Sequence, residues 1–223
     1  MAIDKRVNSA ATALADVRDG AVVLISGFGG AGFANELIRA LSELAVKDLT
    51  LVVNSATHPY SLTHLLIEKR QVRKVICTAA RGRGRELSVF EQQWRDGEVE
   101  LECVPQGTFS ERIRAGGAGI PAFYTPVGYG TELTKGKEVR TFRGREHVLE
   151  EAIIGDLAII RADRADRYGN LAFRYAQQNF GPAMATAAKL TVAEVRVFED
   201  EPIPQPDVQL PGVYVDRVVA VGG

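Results

Sequence analysis

Short apolar runs alternate with amphipathic stretches along the first hundred residues of the chain. The runs at 21–25, 49–53, 72–78 and 99–104 are bounded by polar residues or glycine, which is typical of buried strands. Segments 35–44, 61–68 and 88–96 lie between them, and in the first of these Leu37, Leu41 and Leu44 fall on one helical face. Strands separated by helices of this length predict parallel βαβ units with right-handed crossovers.

The pattern changes after residue 131. Segments 138–142 and 146–150 flank Arg143-Gly144 and predict a β-hairpin, because glycine readily supplies the positive φ of a tight turn. Further strands are expected at 157–160, 171–175, 191–197 and 213–221, a helix at 183–190, and a proline-dotted surface excursion at 201–211. We therefore predict an α/β fold in a single domain over residues 1–223, with an open, mostly parallel sheet of βαβ units and added antiparallel strands.

The composition narrows the class of protein. The 223 residues are 46% hydrophobic and 25% charged, which is ordinary for a soluble globular chain. A formal net charge of -1 argues against a general nucleic-acid-binding protein, and no apolar run is long enough for a membrane span. Cys77 and Cys103 lie outside any CxxC, so we expect buried thiols in a reducing cytoplasm. His58, His64 and His147 lack metal-ligand spacing, and no metal site is predicted.

A glycine-rich loop joins the first predicted strand to the first helix, and its candidate ligand-binding residues are Gly27, Phe28, Gly29, Gly30 and Gly32. Glycines let the backbone approach a ligand closely, and the helix N-terminus behind them favours a phosphate or carboxylate. The loop also satisfies G-x-G-x-x-G, but the acid that a dinucleotide site needs after the second strand is replaced by Asn54. A second interpretation stays open, in which the glycines only permit tight strand–helix packing.

Residues 104–131 run from a strand end through a short helix into a loop dense in glycine, proline and aromatic residues. The loop has neither a helical nor a strand period, yet it carries Ile120, Phe123, Tyr124, Val127 and Tyr129. Disordered linkers lack groups of this kind. We therefore expect an ordered binding surface.

Four segments carry longer motifs. Residues 104–131 read VPQGTFSERIRAGGAGIPAFYTPVGYGT, and the glycine loop reads SGFGGAGFANELI. Segments 179–189 and 211–219 read NFGPAMATAAK and PGVYVDRVV. Together they resemble the A (α) subunits of the family I coenzyme A transferases of the 3-oxoacid and 3-oxoadipate type, over essentially the whole chain. Ser26 and Ala34 replace a glycine and a proline of that family's glycine-loop signature.

The resemblance implies a CoA-transferase, which moves CoA from succinyl-CoA to a 3-oxoacid such as 3-oxoadipate through a glutamyl-CoA thioester. The CoA thioester would be a substrate, and no permanently bound cofactor is implied. In the family the nucleophilic glutamate lies in Ser-Glu-Asn-Gly on the B (β) subunit, and no glutamate of this chain is followed by Asn-Gly. The expected partner is therefore a homologous B subunit, in a heterodimer or heterotetramer, and the expected location is the cytoplasm.

Two amides are the predicted catalytic residues. Asn54 follows the second predicted strand and Gln106 the fourth, and parallel sheets bind ligands at their carboxyl ends. By resemblance, Asn54 matches the first residue of an Asn-Asn pair, with Ser55 in the second place, and Gln106 matches the glutamine of Pro-Gln-Gly. Neutral amides suit the oxyanion that forms when a thioester is attacked, so an oxyanion donor and a substrate-orienting group are implied. In the alternative interpretation both amides only cap turns.

The remaining motifs leave further alternatives open. Arg81, Arg83 and Arg85 form a basic turn that is either solvated or provides one arginine to a substrate carboxylate or a CoA phosphate. Segment 163–170 resembles a family turn of the Asp-Arg-x-Gly-Asn type and is expected to be structural. The acid acceptor could instead be acetate, glutaconate or a steroid-ring fragment. A non-catalytic metabolite-binding domain of the same fold is the alternative from another functional class.

Overall fold

The computed structural model describes residues 3–221, and its elements alternate in the order that the hydrophobic pattern predicts. Through residue 117 the elements are α1 (Ala10–Ala13), β1 (Val22–Ile25), α2 (Asn35–Glu43), β2 (Leu49–Ser55), α3 (Thr63–Glu68), β3 (Val72–Ala79), α4 (Val89–Arg95), β4 (Glu100–Cys103) and α5 (Gln106–Gly117). The later elements are β5 (Ala122–Thr125), β6 (Val139–Phe142), β7 (Arg145–Glu151), β8 (Gly155–Asp166), β9 (Leu171–Ala172), α6 (Gly181–Thr186), β10 (Ala188–Glu199) and β11 (Arg217–Ala220).

The main sheet has the strand order β11-β10-β8-β1-β2-β3-β4, and every neighbouring pair in that order is parallel. β9 pairs antiparallel with β8, and β5, β7 and β6 form a separate three-stranded antiparallel sheet. The predicted α/β fold, mostly parallel with antiparallel additions, is confirmed. The centre of the sheet joins β1 to β8, although more than a hundred residues separate these strands in the chain.

Helices cover both faces of the main sheet. Alternate strand residues point to opposite faces, and Val23 and Ile25 of β1 pack with α1 to α4, whereas Leu24 packs on the side of α5 and α6. β2 and β3 repeat this alternation. A strand buried on both faces reads as a continuous apolar run, which explains why β1, β2 and the centre of β3 are visible in the sequence.

Several boundaries differ from the prediction. The segment 122–125, predicted as part of a loop, is strand β5, because Phe123 and Tyr124 pair with β7. The helix predicted at 183–190 ends at Thr186, since the chain enters β10 at Ala188. The strands predicted at 171–175 and 213–221 are shortened to β9 and β11, and a 3-10 turn, Gly212–Tyr214, precedes the latter. The hairpin around Arg143-Gly144 is confirmed, and both turn residues have positive φ.

A buried ion network ties the antiparallel sheet to the main sheet. Arg112 of α5 donates to the Glu102 carboxylate of β4 at 2.5 Å and to the Glu151 backbone carbonyl of β7 at 2.6 Å. Its Nε lies 3.8 Å from the carboxylate of Glu150, which is 2% exposed. Lys137 donates to the other oxygen of Glu150 at 2.5 Å. The guanidinium therefore joins one helix to both sheets.

Candidate functional site

The carboxyl ends of β1, β2 and β3 lie in register, and the residues that lie level with one another there are Ser26, Asn54 and Thr78. The residues two positions earlier in each strand, Leu24, Val52 and Ile76, pack on the side of α5 and α6. Because side chains alternate along a strand, the three polar groups point to that same side. They form a polar row at the edge of the sheet where parallel α/β folds bind ligands.

Asn54 is held in this row by its neighbour on β3. It is 9% exposed, and the Thr78 hydroxyl lies 2.9 Å from its backbone carbonyl and 3.1 Å from its side-chain Oδ1. The side-chain Nδ2 makes no hydrogen bond to any residue that the structure describes. The amide therefore has its oxygen engaged and both of its N–H groups available.

Gln106 lies at the same edge of the sheet, beyond β4. It is the first residue of α5, is exposed, and its side chain makes no hydrogen bond within residues 3–221. β3 separates β4 from β2, so two strand spacings of about 4.8 Å lie between the strands that lead to the two amides. The structure thus brings both predicted catalytic amides to one edge of the sheet, and Thr78 lies on β3, the strand between β2 and β4.

An aromatic chain connects the glycine loop to α5. Phe28 at the loop tip packs edge-to-face on Phe180, with ring centroids 6.2 Å apart, and Phe180 packs in the same way on Phe109 at 5.4 Å. Phe109 is fully buried, whereas Phe28 is 41% exposed. Three motifs that are distant in sequence therefore meet beside the polar row.

Asn179 clamps the base of the glycine loop. Its Oδ1 accepts the backbone N–H of Gly27 at 3.0 Å, and its Nδ2 donates to the Ala31 carbonyl at 3.2 Å. Gly27 and Gly32 have positive φ, and a Cβ on Gly32 would lie 2.4 Å from the Asn179 amide. The packing interpretation thus explains these two glycines. The exposed tip, Phe28 to Gly30, is left for a ligand or partner.

The N-terminus of α2, behind the glycine loop, already binds an anion from the chain itself. The buried carboxylate of Glu194 accepts the backbone N–H groups of Glu36 and Leu37 at 2.9 and 3.0 Å and pairs with Arg161. Burial raises the pKa of Glu194, and the hydrogen bonds from these donors, which lower the pKa, only partly offset the effect of burial. The helix end was predicted to favour a carboxylate, and the carboxylate of Glu194 occupies it. A phosphate group of a ligand would therefore have to bind elsewhere on the loop.

The three arginines of the basic turn after β3 differ in their contacts. Arg81 donates to the Glu91 carboxylate at 2.7 Å and to the Gly84 carbonyl at 3.0 Å, so it holds the turn together. Arg83 and Arg85 are exposed. Glu91 also closes a capping box with Ser88 at the start of α4. Burial raises the pKa of Glu91, but hydrogen bonds from Ser88 and Arg81 outweigh it and bring the pKa to about 2.

Replacing Glu91 with glutamine is expected to lower the free energy of unfolding by about 1–2 kcal/mol at pH 7, because charge-assisted bonds become neutral ones. A depressed carboxyl pKa stabilises the fold above the unfolded value, here 4.5, and this contribution is lost as the pH falls toward about 2. The difference between wild type and E91Q should therefore be full at pH 7 and shrink below pH 5. Urea titrations from pH 7 to 3 measure it, with Glu86→Gln, an exposed charge nearby, as the control. A pH-independent difference would contradict the assignment.

The turn at 163–170 is structural, as expected. Asp166 is fully buried, and its two oxygens accept the backbone N–H groups of Tyr168, Asn170 and Ile203. Asn170 in turn donates to Asp166 and accepts the N–H of Gly212. These bonds hold the β8–β9 turn against the segment before β11.

The apolar loop after α5 lies beside the start of that helix. A Cβ on Gly128 would lie 3.8 Å from Pro105, the residue that precedes Gln106. Ile120, Val127 and Tyr129 are each more than a third exposed. Across residues 3–221, no group of three His, Cys, Asp or Glu side chains could hold a metal ion, and no helix is long and apolar enough to cross a membrane.

The sequence pattern pointed to Asn54 and Gln106 but not to Thr78 or Asn179. Thr78 is two residues beyond the buried Ile76 in a strand, so the strand period could have placed it on the site face. Its contact with Asn54, however, depends on the register of β2 and β3. Asn179 lies in one of the longer motifs, but nothing in the sequence connects it to a loop 150 residues earlier.

A family model described as coenzyme A transferase matches residues 7–221. The chain is 48% identical over 218 residues to the A subunit of a succinyl-CoA:3-ketoacid coenzyme A transferase of Xanthomonas campestris pv. campestris, covering 96% of this chain and 88% of that protein. It is 43% identical over 222 residues to the A subunit of a 3-oxoadipate CoA-transferase of Pseudomonas putida, covering 99% and 95%.

A solved structure has the same fold in a longer chain. It is an acyl-CoA transferase of Escherichia coli O157:H7, described as a thioester complex with CoA, with a TM-score of 0.82 and 21% identity. The match covers 98% of this chain but 47% of that one. The present chain is thus similar in fold to about half of that protein.

Proposed function

The chain belongs to the coenzyme A transferase family, and we propose that it is the A subunit of a two-component enzyme that moves CoA from succinyl-CoA to a 3-oxoacid such as 3-oxoadipate. The observation that carries the proposal is the near-full-length identity of 43% and 48% to A subunits named for these reactions. The amide pair at the sheet edge supports it, because it supplies neutral donors without a competing nucleophile.

In this proposal Asn54 donates to the oxygen that becomes negative when the thioester carbonyl is attacked. Its Nδ2 has no acceptor within residues 3–221, its Oδ1 is held by Thr78, and its strand is buried on both faces, so the donor is preorganised. Gln106, exposed at the start of α5, orients the substrate or the thioester. The exposed glycine-loop tip, Phe28, Gly29 and Gly30, would contact CoA or the partner subunit.

The nucleophile is assigned to the partner because the buried carboxylates of this chain are occupied. Among the described residues they are Glu91, Glu150, Asp166 and Glu194, and each accepts hydrogen bonds from N–H groups or cations. The glutamates near the loops, Glu36, Glu111 and Glu132, form surface ion pairs with Arg39, Arg114 and Lys135. A B subunit that carries Ser-Glu-Asn-Gly would therefore complete the site, in a heterodimer or an α2β2 heterotetramer.

Exposed apolar side chains around the site fit such a partner. Phe28 lies at the tip of the glycine loop after β1, and Val127 and Tyr129 lie in the loop beside the start of α5. Aromatic groups in this arrangement are typical of protein interfaces and ligand pockets. We assign the segment 120–129, which includes β5, to the subunit interface or to the wall of the acyl pocket.

The test is CoA transfer from succinyl-CoA to 3-oxoadipate and acetoacetate, by this chain alone and co-purified with a Ser-Glu-Asn-Gly partner. We expect activity only in the pair, with ping-pong kinetics. If the pair transfers CoA to acetate or glutaconate but to neither 3-oxoacid, the acceptor is a different acid from the one proposed. An assembled pair that transfers CoA to none of these acids would favour a metabolite-binding role.

A further inference from the structure

We propose that Thr78 is a positioning residue that holds the Asn54 amide with its NH2 group directed away from β3 and toward the reacting carbonyl. The inference rests on the proposed function, and it adds a residue that acts through Asn54 without touching the substrate. It is carried by the contacts of one hydroxyl group at the carboxyl edge of the sheet.

The register places the two residues side by side. Val53 pairs with Cys77 and Ser55 with Ala79, so Asn54 and Thr78 lie directly opposite each other on parallel strands. The Thr78 hydroxyl is 3.1 Å from Oδ1 of Asn54 and 2.9 Å from its backbone carbonyl. Both contacts are within hydrogen-bond distance, and both acceptors belong to the same residue.

This arrangement decides which way the amide faces. The terminal torsion of asparagine is broad, so an unrestrained amide would present either its oxygen or its nitrogen to the site. The Thr78 hydroxyl has one proton, which its two contacts share between the Asn54 backbone carbonyl and Oδ1. The contact to Oδ1 favours the orientation in which the amide oxygen faces β3 and Nδ2 points away from it. Nδ2 has no acceptor among residues 3–221, so its two donors stay available for an oxyanion.

The neighbouring hydroxyl of the polar row cannot replace Thr78. Ser26 donates to the Gly32 carbonyl at 2.8 Å and accepts the backbone N–H of Arg161 at 3.3 Å. Its role is to hold the glycine loop against β8. Thr78 is thus the group placed to orient Asn54 within the described chain.

The test compares Thr78→Val, which keeps the shape and removes the hydroxyl, with Thr78→Ser, which keeps the hydroxyl. In the assembled enzyme we expect T78V to lower kcat by about ten-fold with little change in KM, since a misoriented donor weakens mainly the transition state. T78S should retain most of the activity. In an Asn54→Ala background T78V should cause almost no further loss, because the two residues act as one unit.

Equal losses from T78V in both backgrounds, or full activity of T78V, would overturn the proposal. High-resolution crystal structures of wild type and T78V provide a readout that needs no activity. We expect the Asn54 amide to be single and ordered in wild type, and rotated or in two orientations in T78V. An unchanged amide in T78V would also overturn the proposal. An inactive wild-type pair would contradict the proposed function, while the crystal structures would still decide the role of Thr78.

Discussion

Replacing Asn54 with alanine is expected to lower kcat for CoA transfer by about 10²- to 10³-fold in the assembled enzyme, the usual effect of removing one oxyanion donor. Asn54 is almost fully buried at the carboxyl end of β2, and no residue that the structure describes accepts a hydrogen bond from its Nδ2. The donor interacts most strongly with the charge that develops in the transition state, so KM should change little. Steady-state kinetics with succinyl-CoA as the donor measure both constants.

Two further variants separate a lost donor from a damaged fold. Asn54→Asp has nearly the same shape but presents oxygen in place of N–H, so we expect a loss at least as large as in N54A. Asn8→Ala removes an exposed asparagine that no strand of the sheet carries, and it should keep wild-type activity. Wild-type kcat in N54A with the fold intact would show that the amide only caps the strand end.

Replacing Arg112 with methionine is expected to lower the free energy of unfolding by about 3–5 kcal/mol, the usual effect of breaking a buried ion pair from one side. The change leaves Glu150, which is 2% exposed, with Lys137 as its remaining cation among residues 3–221. Glu102 also loses a donor: burial raises its pKa, but hydrogen bonds from Arg112 and Lys74 outweigh burial and hold the pKa below its ordinary value. Urea denaturation at neutral pH measures the change.

The matched control lies two residues further along the same helix. Arg114 pairs with Glu111 on the surface, where ion pairs contribute about 0–1 kcal/mol. Arg114→Met makes the same substitution on the same helix and should change stability by no more than that. Similar losses in R112M and R114M would show that helix propensity, and not the buried network, determines the effect.

The sequence predicted the N-terminal half of the fold well because burial dominates there. β1, β2 and the centre of β3 are short apolar runs covered by helices, and local composition marks them clearly. β5 was missed because its partner β7 lies more than twenty residues away and the strand is only partly buried. The insertion of β8 beside β1 is a long-range pairing that no local pattern encodes.

The sequence was sufficient to predict which residues lie at the site, but not the hydrogen bonds that hold them in place. Strand ends in a parallel sheet share one edge, so Asn54 and Gln106 could be placed together from their positions in the sequence. The clamp by Asn179 and the contact of Thr78 with Asn54 depend on tertiary packing and strand register. The anion at the N-terminus of α2 was expected, but Glu194, which supplies it, lies about 160 residues away in β10.

The location of the covalent intermediate decides whether the nucleophile lies on the partner subunit or on this chain. The pair of subunits would be incubated with succinyl-CoA, without an acceptor acid, and the intact mass of each subunit measured. We expect a CoA adduct on the partner subunit that the acceptor acid removes, and none on this chain. A CoA adduct on this chain would contradict the claim that it provides the donors of a shared site and not the nucleophile.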